Sequence, residues 1–454
     1  MGSLRIRELE DAIRAGHGSG EPKLKTALTR LSFELEQRLE RGIADSQSYF
    51  TRAAAALTSI RGPGNSQLRL SCFFQLSHFF HLAGLPRDVL SMGTRMLALA
   101  ELVGNAHEKR RALLMLGVGL VEQGHVARGI ECYARALSIA REMSDAKAEA
   151  ALWVNTSVAL QVSSQFEESI HCSRRALDVA ATDPAMRFHR SAAFSNIAYS
   201  CLRLNRIAEG IRAAESSMLE SPSPRTASDF SSLVTREQNF ALLLIEAKQY
   251  ALARQCVLRA SDYAARSGSP HAQVSVLVVS GLCNVSSGNV DSGLRELEEA
   301  CERSTSTIAI HIDALISLVK AYDLLDRPDE ALLRLKRLCE LVGLTRSDSI
   351  SLDGQMATLD MQLVAHLERA SDHDLSELKY REATLRAKLA EKRLEVASFE
   401  MLERLAITAD LREEASGEHG YRVGKMSSLL AEQLGWGFDA YQQIELTARL
   451  HDIG

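Results

Sequence analysis

The sequence predicts an all-α chain, most of it a solenoid of helical hairpins, and three observations predict it. A junction motif recurs seven times, as AGLPRDVL, QGHVARGI, SSQFEESI, LNRIAEGI, AKQYALAR, SSGNVDSGL and LDRPDEAL. Its last residues, Leu90, Ile130, Ile170, Ile211, Arg254, Leu294 and Leu332, stand 38 to 43 residues apart. Between junctions the apolar residues keep helical spacing, as in Leu113, Leu116 and Leu120, then Ile130, Tyr133 and Leu137. Third, proline is scarce, 8 in 454 residues, and aromatics are only 5%, which disfavours a sandwich or barrel of many short strands. A period near 40 means a stacked unit, because one hairpin cannot bury its apolar face alone.

Taken in order, residues 1–65 are expected to form an N-terminal helical cap and 66–345 the seven repeats. Nine residues before the Pro, Val, Phe, Ile or Tyr that opens the second half of each junction stand Ser77, Gly117, Ser157, Ala198, Ala241 and Gly281, with Val319 breaking the pattern. One residue before each anchor stand Val89, Gly129, Ser169, Gly210, Ala253, Gly293 and Ala331, nearly all small. Two helices of a hairpin approach closely only where side chains are small, so these paired positions are what the hairpin requires. The stretch MLGVGLVEQGHVARGIECYARAL resembles a tetratricopeptide repeat, with Leu116, Gly117, Gly124, Val126, Gly129, Tyr133 and Ala136 on its signature positions. Trp153 falls where that family's first-helix Trp stands in the next repeat.

Composition narrows the function classes. With 53 Lys and Arg against 58 Asp and Glu the net charge is −5, and no basic stripe marks a nucleic-acid partner. The start, charged from Arg5 onward, has no apolar export segment, and the longest nearly apolar run, Val274–Val285, is too short to span a bilayer. Eight cysteines (72, 132, 172, 201, 256, 283, 301 and 339) show no C-x-x-C pair and read as reduced, small packing residues. The expectation is a soluble cytoplasmic protein with no membrane and no nucleic-acid partner.

Resemblance to tetratricopeptide arrays implies a concave groove for a protein or peptide. Asn155, Asn196 and Asn239 occupy one register in three successive first helices, and an Asn amide both donates and accepts. Such a ladder can hold an extended peptide by its backbone, so these three are the candidate peptide-binding residues; the bland alternative is polar residues on a solvated face. His78 and His81, three apart, suggest a metal pair only if a third ligand lies near, and the sequence shows none.

Residues 346–371 are expected to be a terminal helix or connector, and 372–408 a coiled-coil signalling helix. Leu378, Leu385, Leu389, Val396 and Phe399 form its seam, weakened by Lys392, and a homodimer through this helix is expected. Residues 409–454 then resemble the start of an HD-GYP domain, carried by Ser416-Gly417-Glu418-His419, Arg422-Val423 and Leu450-His451-Asp452-Ile453-Gly454. The resemblance implies an all-α HD phosphohydrolase with His419, His451 and Asp452 as metal ligands. It also implies His451 and Asp452 at the catalytic centre, an iron or manganese pair as cofactor, and cyclic di-GMP as substrate. Where some members place an acidic third-metal ligand, this chain has Ala415, which favours two metals. The later ligands and the GYP loop are absent, so this chain is expected to be a truncated form, inactive by itself. The reading is a bacterial signalling protein in which the array senses a ligand and controls the phosphodiesterase. Its alternative is a non-enzymatic scaffold with a degenerate HD remnant.

Overall fold

A computed structural model describes residues 2–14, 21–41, 47–60, 64–181, 183–347, 380, 382–387, 390 and 419–449. It separates into two units, Met1–Tyr380 and Arg381–Gly454. Among the described residues every regular element is helical.

The first unit opens with α1 (Gly2–Arg14), α2 (Glu21–Arg41) and α3 (Gln47–Thr58). Ile6, Leu9, Leu28, Leu31, Leu35 and Phe50 are buried there, and the Phe50 ring stacks on Phe79 at 3.6 Å between centroids. Seven hairpins follow: α4 (Ser66–Leu82) with α5 (Pro86–Leu102), α6 (Ala106–Glu122) with α7 (Val126–Glu142), and α8 (Ala146–Val162) with α9 (Phe166–Ala180). Next come α10 (Arg187–Arg203) with α11 (Ile207–Glu220), α12 (Ala227–Glu246) with α13 (Tyr250–Ser267), α14 (Pro270–Ser286) with α15 (Val290–Arg303), and α16 (Ile308–Leu324) with α17 (Pro328–Ser347).

Each hairpin turns on one left-handed residue: Gly84, Gly124, Ser164, Asn205, Lys248, Gly288 and Asp326. These stand at the same spacing as the sequence junctions, so one backbone turn is built seven times. Where the position is not glycine, the positive φ is strained, and the repeat keeps it because the flanking helices fix the turn. The small positions do what close approach demands. A Cβ on Gly129 would lie 3.1 Å from the Gly117 carbonyl, and one on Gly293 would lie 2.5 Å from the Gly281 carbonyl. In the third hairpin the pair is Ser157 and Ser169, whose hydroxyls bond at 2.8 Å.

First and second helices together bury the core of the array. Trp153 is fully buried among Tyr133, Leu137, Leu152 and Cys172, and large side chains of this kind contribute about 1.5–3 kcal/mol each. The array also closes on itself: Ile308 and Ala309 of α16 pack against this same second- and third-repeat core. Seven cysteines are buried and Cys339 is half-buried, and none forms a disulfide among the described residues. No described helix is long and apolar enough to cross a membrane.

In the second unit, residues 382–387 are helical with Leu385 buried. The helix His419–Gln433 pairs with the helix Phe438–Arg449 through Lys425 and Glu445, 3.4 Å apart. Gly424 permits that approach, since a Cβ there would lie 2.5 Å from the Glu445 carbonyl.

Candidate functional site, the groove of the helical array

First helices supply most of the walls of the array's groove. Two cavities open into it. A smaller one, about 220 Å³, is walled by residues of α4, α8, α10, α12, α14 and α16. The larger, about 390 Å³, lies between α2, α4 and the start of α12. Ser32, Ser71, Gln75 and Ser228 face it with Phe74, beside Glu36 and Arg111.

Asn196 and Asn239 both line the smaller cavity; Asn155 does not. Neither is solvated as the sequence suggested. Asn196 is 8% and Asn239 5% exposed, and each spends its amide N–H on the preceding repeat. Asn196 Nδ2 donates to the Val154 carbonyl at 3.2 Å, and Asn239 Nδ2 to Ser195 Oγ at 3.1 Å. Asn155 turns back on its own helix, donating to the Ala151 carbonyl at 2.8 Å. The shared register thus gives inter-repeat ties, with the Oδ1 atoms of Asn196 and Asn239 left at the cavity wall as acceptors.

Sequence spacing gave no sign of the remaining groove residues. Gln161 donates to the Asn196 carbonyl at 2.9 Å and to Ser200 Oγ at 3.1 Å. Tyr199 of α10 donates its hydroxyl to the Asp313 carboxylate of α16, 114 residues away. Burial raises the Asp313 carboxyl above the ordinary range, against the hydrogen bond from Tyr199. Lys320 pairs with Glu246 between α16 and α12. Gln161 ties adjacent repeats, whereas only the curvature of the array brings Tyr199 to Asp313, so no local pattern could announce that pair.

His78 and His81 diverge. His78 Nε2 lies 3.2 Å from Ser228 Oγ, while His81 Nδ1 lies 2.6 Å from Glu122 Oε1. Burial and the His81 charge push His78 down to about 4. His81 goes the other way: burial opposes its charge, but the Glu122 carboxylate and its hydrogen bond prevail and raise it. His271, buried beside His81, is lowered to about 4. Among the described residues no group of three His, Cys, Asp or Glu is placed to hold a metal ion.

Of the phosphodiesterase candidates, His419 is the first residue of the helix His419–Gln433, and His451 and Asp452 lie outside the described residues. Most of residues 372–408, the expected coiled-coil segment, including Leu378, Leu389, Val396 and Phe399, lie outside the described residues too.

No protein-family model matches the chain, and no curated protein sequence matches it either. Among solved structures it is similar to a Rap protein complexed with competence and sporulation factor, with a TM-score of 0.53 and 13% identity over 76% of this chain and 99% of that one. NprR in complex with its cognate peptide NprX gives a TM-score of 0.43 at 12% identity, over 76% of this chain and 98% of that one. The apo quorum sensor NprR from B. thuringiensis gives 0.41 at 12%, over 80% and 99%. At 13% identity the likeness to the Rap protein is one of fold, and with the seven hairpins it makes this chain a tetratricopeptide-like all-α repeat array.

Proposed function

We propose that the array is a sensor that takes an extended peptide into its groove. The observation that carries this is the smaller cavity, with Asn196 and Asn239 from adjacent repeats presenting buried amides at one wall. Their free Oδ1 atoms suit the N–H groups of an extended backbone, whatever its side chains. That the Rap protein, of similar fold, has been solved complexed with competence and sporulation factor supports a ligand-binding array. Retention of a fluorescein-labelled random octapeptide library tests it: wild type should retain peptide, and Asn196→Asp with Asn239→Asp should retain a different subset. A wild-type protein that retains nothing overturns it.

The finer reading is that the C-terminal region begins an HD-GYP phosphodiesterase acting on cyclic di-GMP under the array's control. Its support is the sequence pattern of His419, His451 and Asp452. Bound iron or manganese would supply Lewis acidity and an activated water there. Extended to the full domain, the protein should bind metal and hydrolyse cyclic di-GMP, while His451→Ala or Asp452→Ala should remove both properties and His419→Ala weaken both. Full metal content and full rate in His451→Ala would leave the scaffold reading standing.

A further inference from the structure

The first repeat reaches across the groove to the fifth, sixth and seventh. His78 meets Ser228 of α12 at 3.2 Å. Ser269, just before α14, donates its hydroxyl to the Leu82 carbonyl at 2.6 Å, 187 residues away. Ser306, just before α16, donates to the Gly84 carbonyl at 3.4 Å, 222 residues away. The His81 and His271 rings meet edge-on, 6.3 Å between centroids, and His271 Nε2 lies 2.6 Å from Thr307 Oγ1.

This contact runs between the two cavities. His78, Leu82 and Ser228 wall the larger one, while His81 and His271 wall the smaller. The bonds that make the partition join hydroxyls, imidazoles and main-chain carbonyls, the same groups an extended backbone can satisfy in their place. Gly84 is what lets the partition close. It sits at φ +72°, and a Cβ on it would lie 2.9 Å from His271 Cδ2.

We infer that this contact is a clasp dividing one groove into two chambers, and that an extended peptide fills both only by parting it. The inference rests on the peptide reading above. Ligand then favours the open array, and apparent affinity scales with the open fraction. Parting the clasp moves the first repeat against the fifth to seventh, which is a change of shape that an array can transmit.

The test uses Gly84→Ala, which sets a methyl group against His271. Gly104→Ala is the control, because Gly104 has φ +66° but nothing within 4 Å of the added Cβ. Ser228→Ala loosens the clasp without added volume, should the wedge compromise folding. The full chain is measured without ligand by small-angle scattering and hydrogen exchange, then exposed to the labelled random octapeptide library. Gly84→Ala should expand relative to the control, exchange the amides of 79–85 and 268–272 at least tenfold faster, and retain several-fold more peptide. Ser228→Ala should move the same way by less. If all variants stay as compact and protected as wild type, the clasp is overturned. A clasp that opens while retention stays equal to the control's overturns its gating role alone. Opening with no peptide retained by any variant overturns the peptide reading as well.

Discussion

The Asn239 side chain on α12 donates its amide to Ser195 on α10, 3.1 Å to the hydroxyl and 3.3 Å to the carbonyl. A residue that faces the groove is therefore also a strut between successive repeats. The N–H group holds the neighbouring repeat, and the oxygen is the atom that the peptide proposed above would meet.

That division predicts a stability order. Asn239→Ala leaves buried polar groups on Ser195 short of a partner and should cost about 1–3 kcal/mol. Asn155→Ala loses only a bond to its own helix and should cost less than about 1 kcal/mol. Urea unfolding of the single variants checks this. An equal, small loss at both positions would show that Asn239 is not a strut.

Arg259 of α13 and Glu237 of α12 form an ion pair inside the fifth hairpin. The Arg259 Nε and Nη2 donate to the fully buried Glu237 carboxylate at 2.7 and 2.9 Å. Arg259→Ala strands that carboxylate and should cost about 3–5 kcal/mol, whereas Arg259→Ala with Glu237→Met should recover most of the loss. A double variant no more stable than Arg259→Ala would contradict the account.

Acid should weaken the first unit through two histidines. His78 faces His81 on its own helix and Asp229 from α12; His271 faces Glu122 from α6 and His81 from α4. Burial comes first among the causes holding both at about 4, against an ordinary 6.5 in the unfolded chain. Between about pH 6.5 and 4 the unfolded state therefore binds more protons, and stability falls as pH falls. The full shift corresponds to on the order of 3 kcal/mol for each ring, less where water reaches it. His81 has the opposite sign: raised by Glu122, it contributes most below its unfolded value and loses that contribution as pH rises through its folded one. His78→Gln with His271→Gln should shrink the drop in Tm between pH 7 and 4.5 by several degrees. A drop unchanged from wild type would assign it to other groups.

Glycine pairs inside the hairpins should tolerate no methyl group. Gly293→Ala would set its Cβ 2.5 Å from the Gly281 carbonyl and 2.7 Å from Val285, so two helices must separate. The expected cost is about 1–3 kcal/mol or more by thermal unfolding. Gly117→Ala, whose Cβ would lie 2.3 Å from the Tyr133 ring, should behave alike. Wild-type Tm in both would mean the hairpins are less tightly packed than drawn.

The repeat was legible from sequence because its rules are local. Junction spacing, the small pairs such as Gly117 with Gly129, and the Trp153 position each follow from how one hairpin closes and meets its neighbour, and the chain states that rule seven times. The candidate ligands His451 and Asp452 rest on sequence alone. What only the tertiary structure decided is where the array meets itself. The small rotation from each repeat to the next accumulates over six steps, and no single unit encodes the sum. That sum sets Ser269 on the Leu82 carbonyl, Tyr199 on Asp313 and His271 beside Gly84. It also sets α16 across the cavity from Asn196 and Asn239, whose amides are tied to the preceding repeat and so are buried rather than solvated.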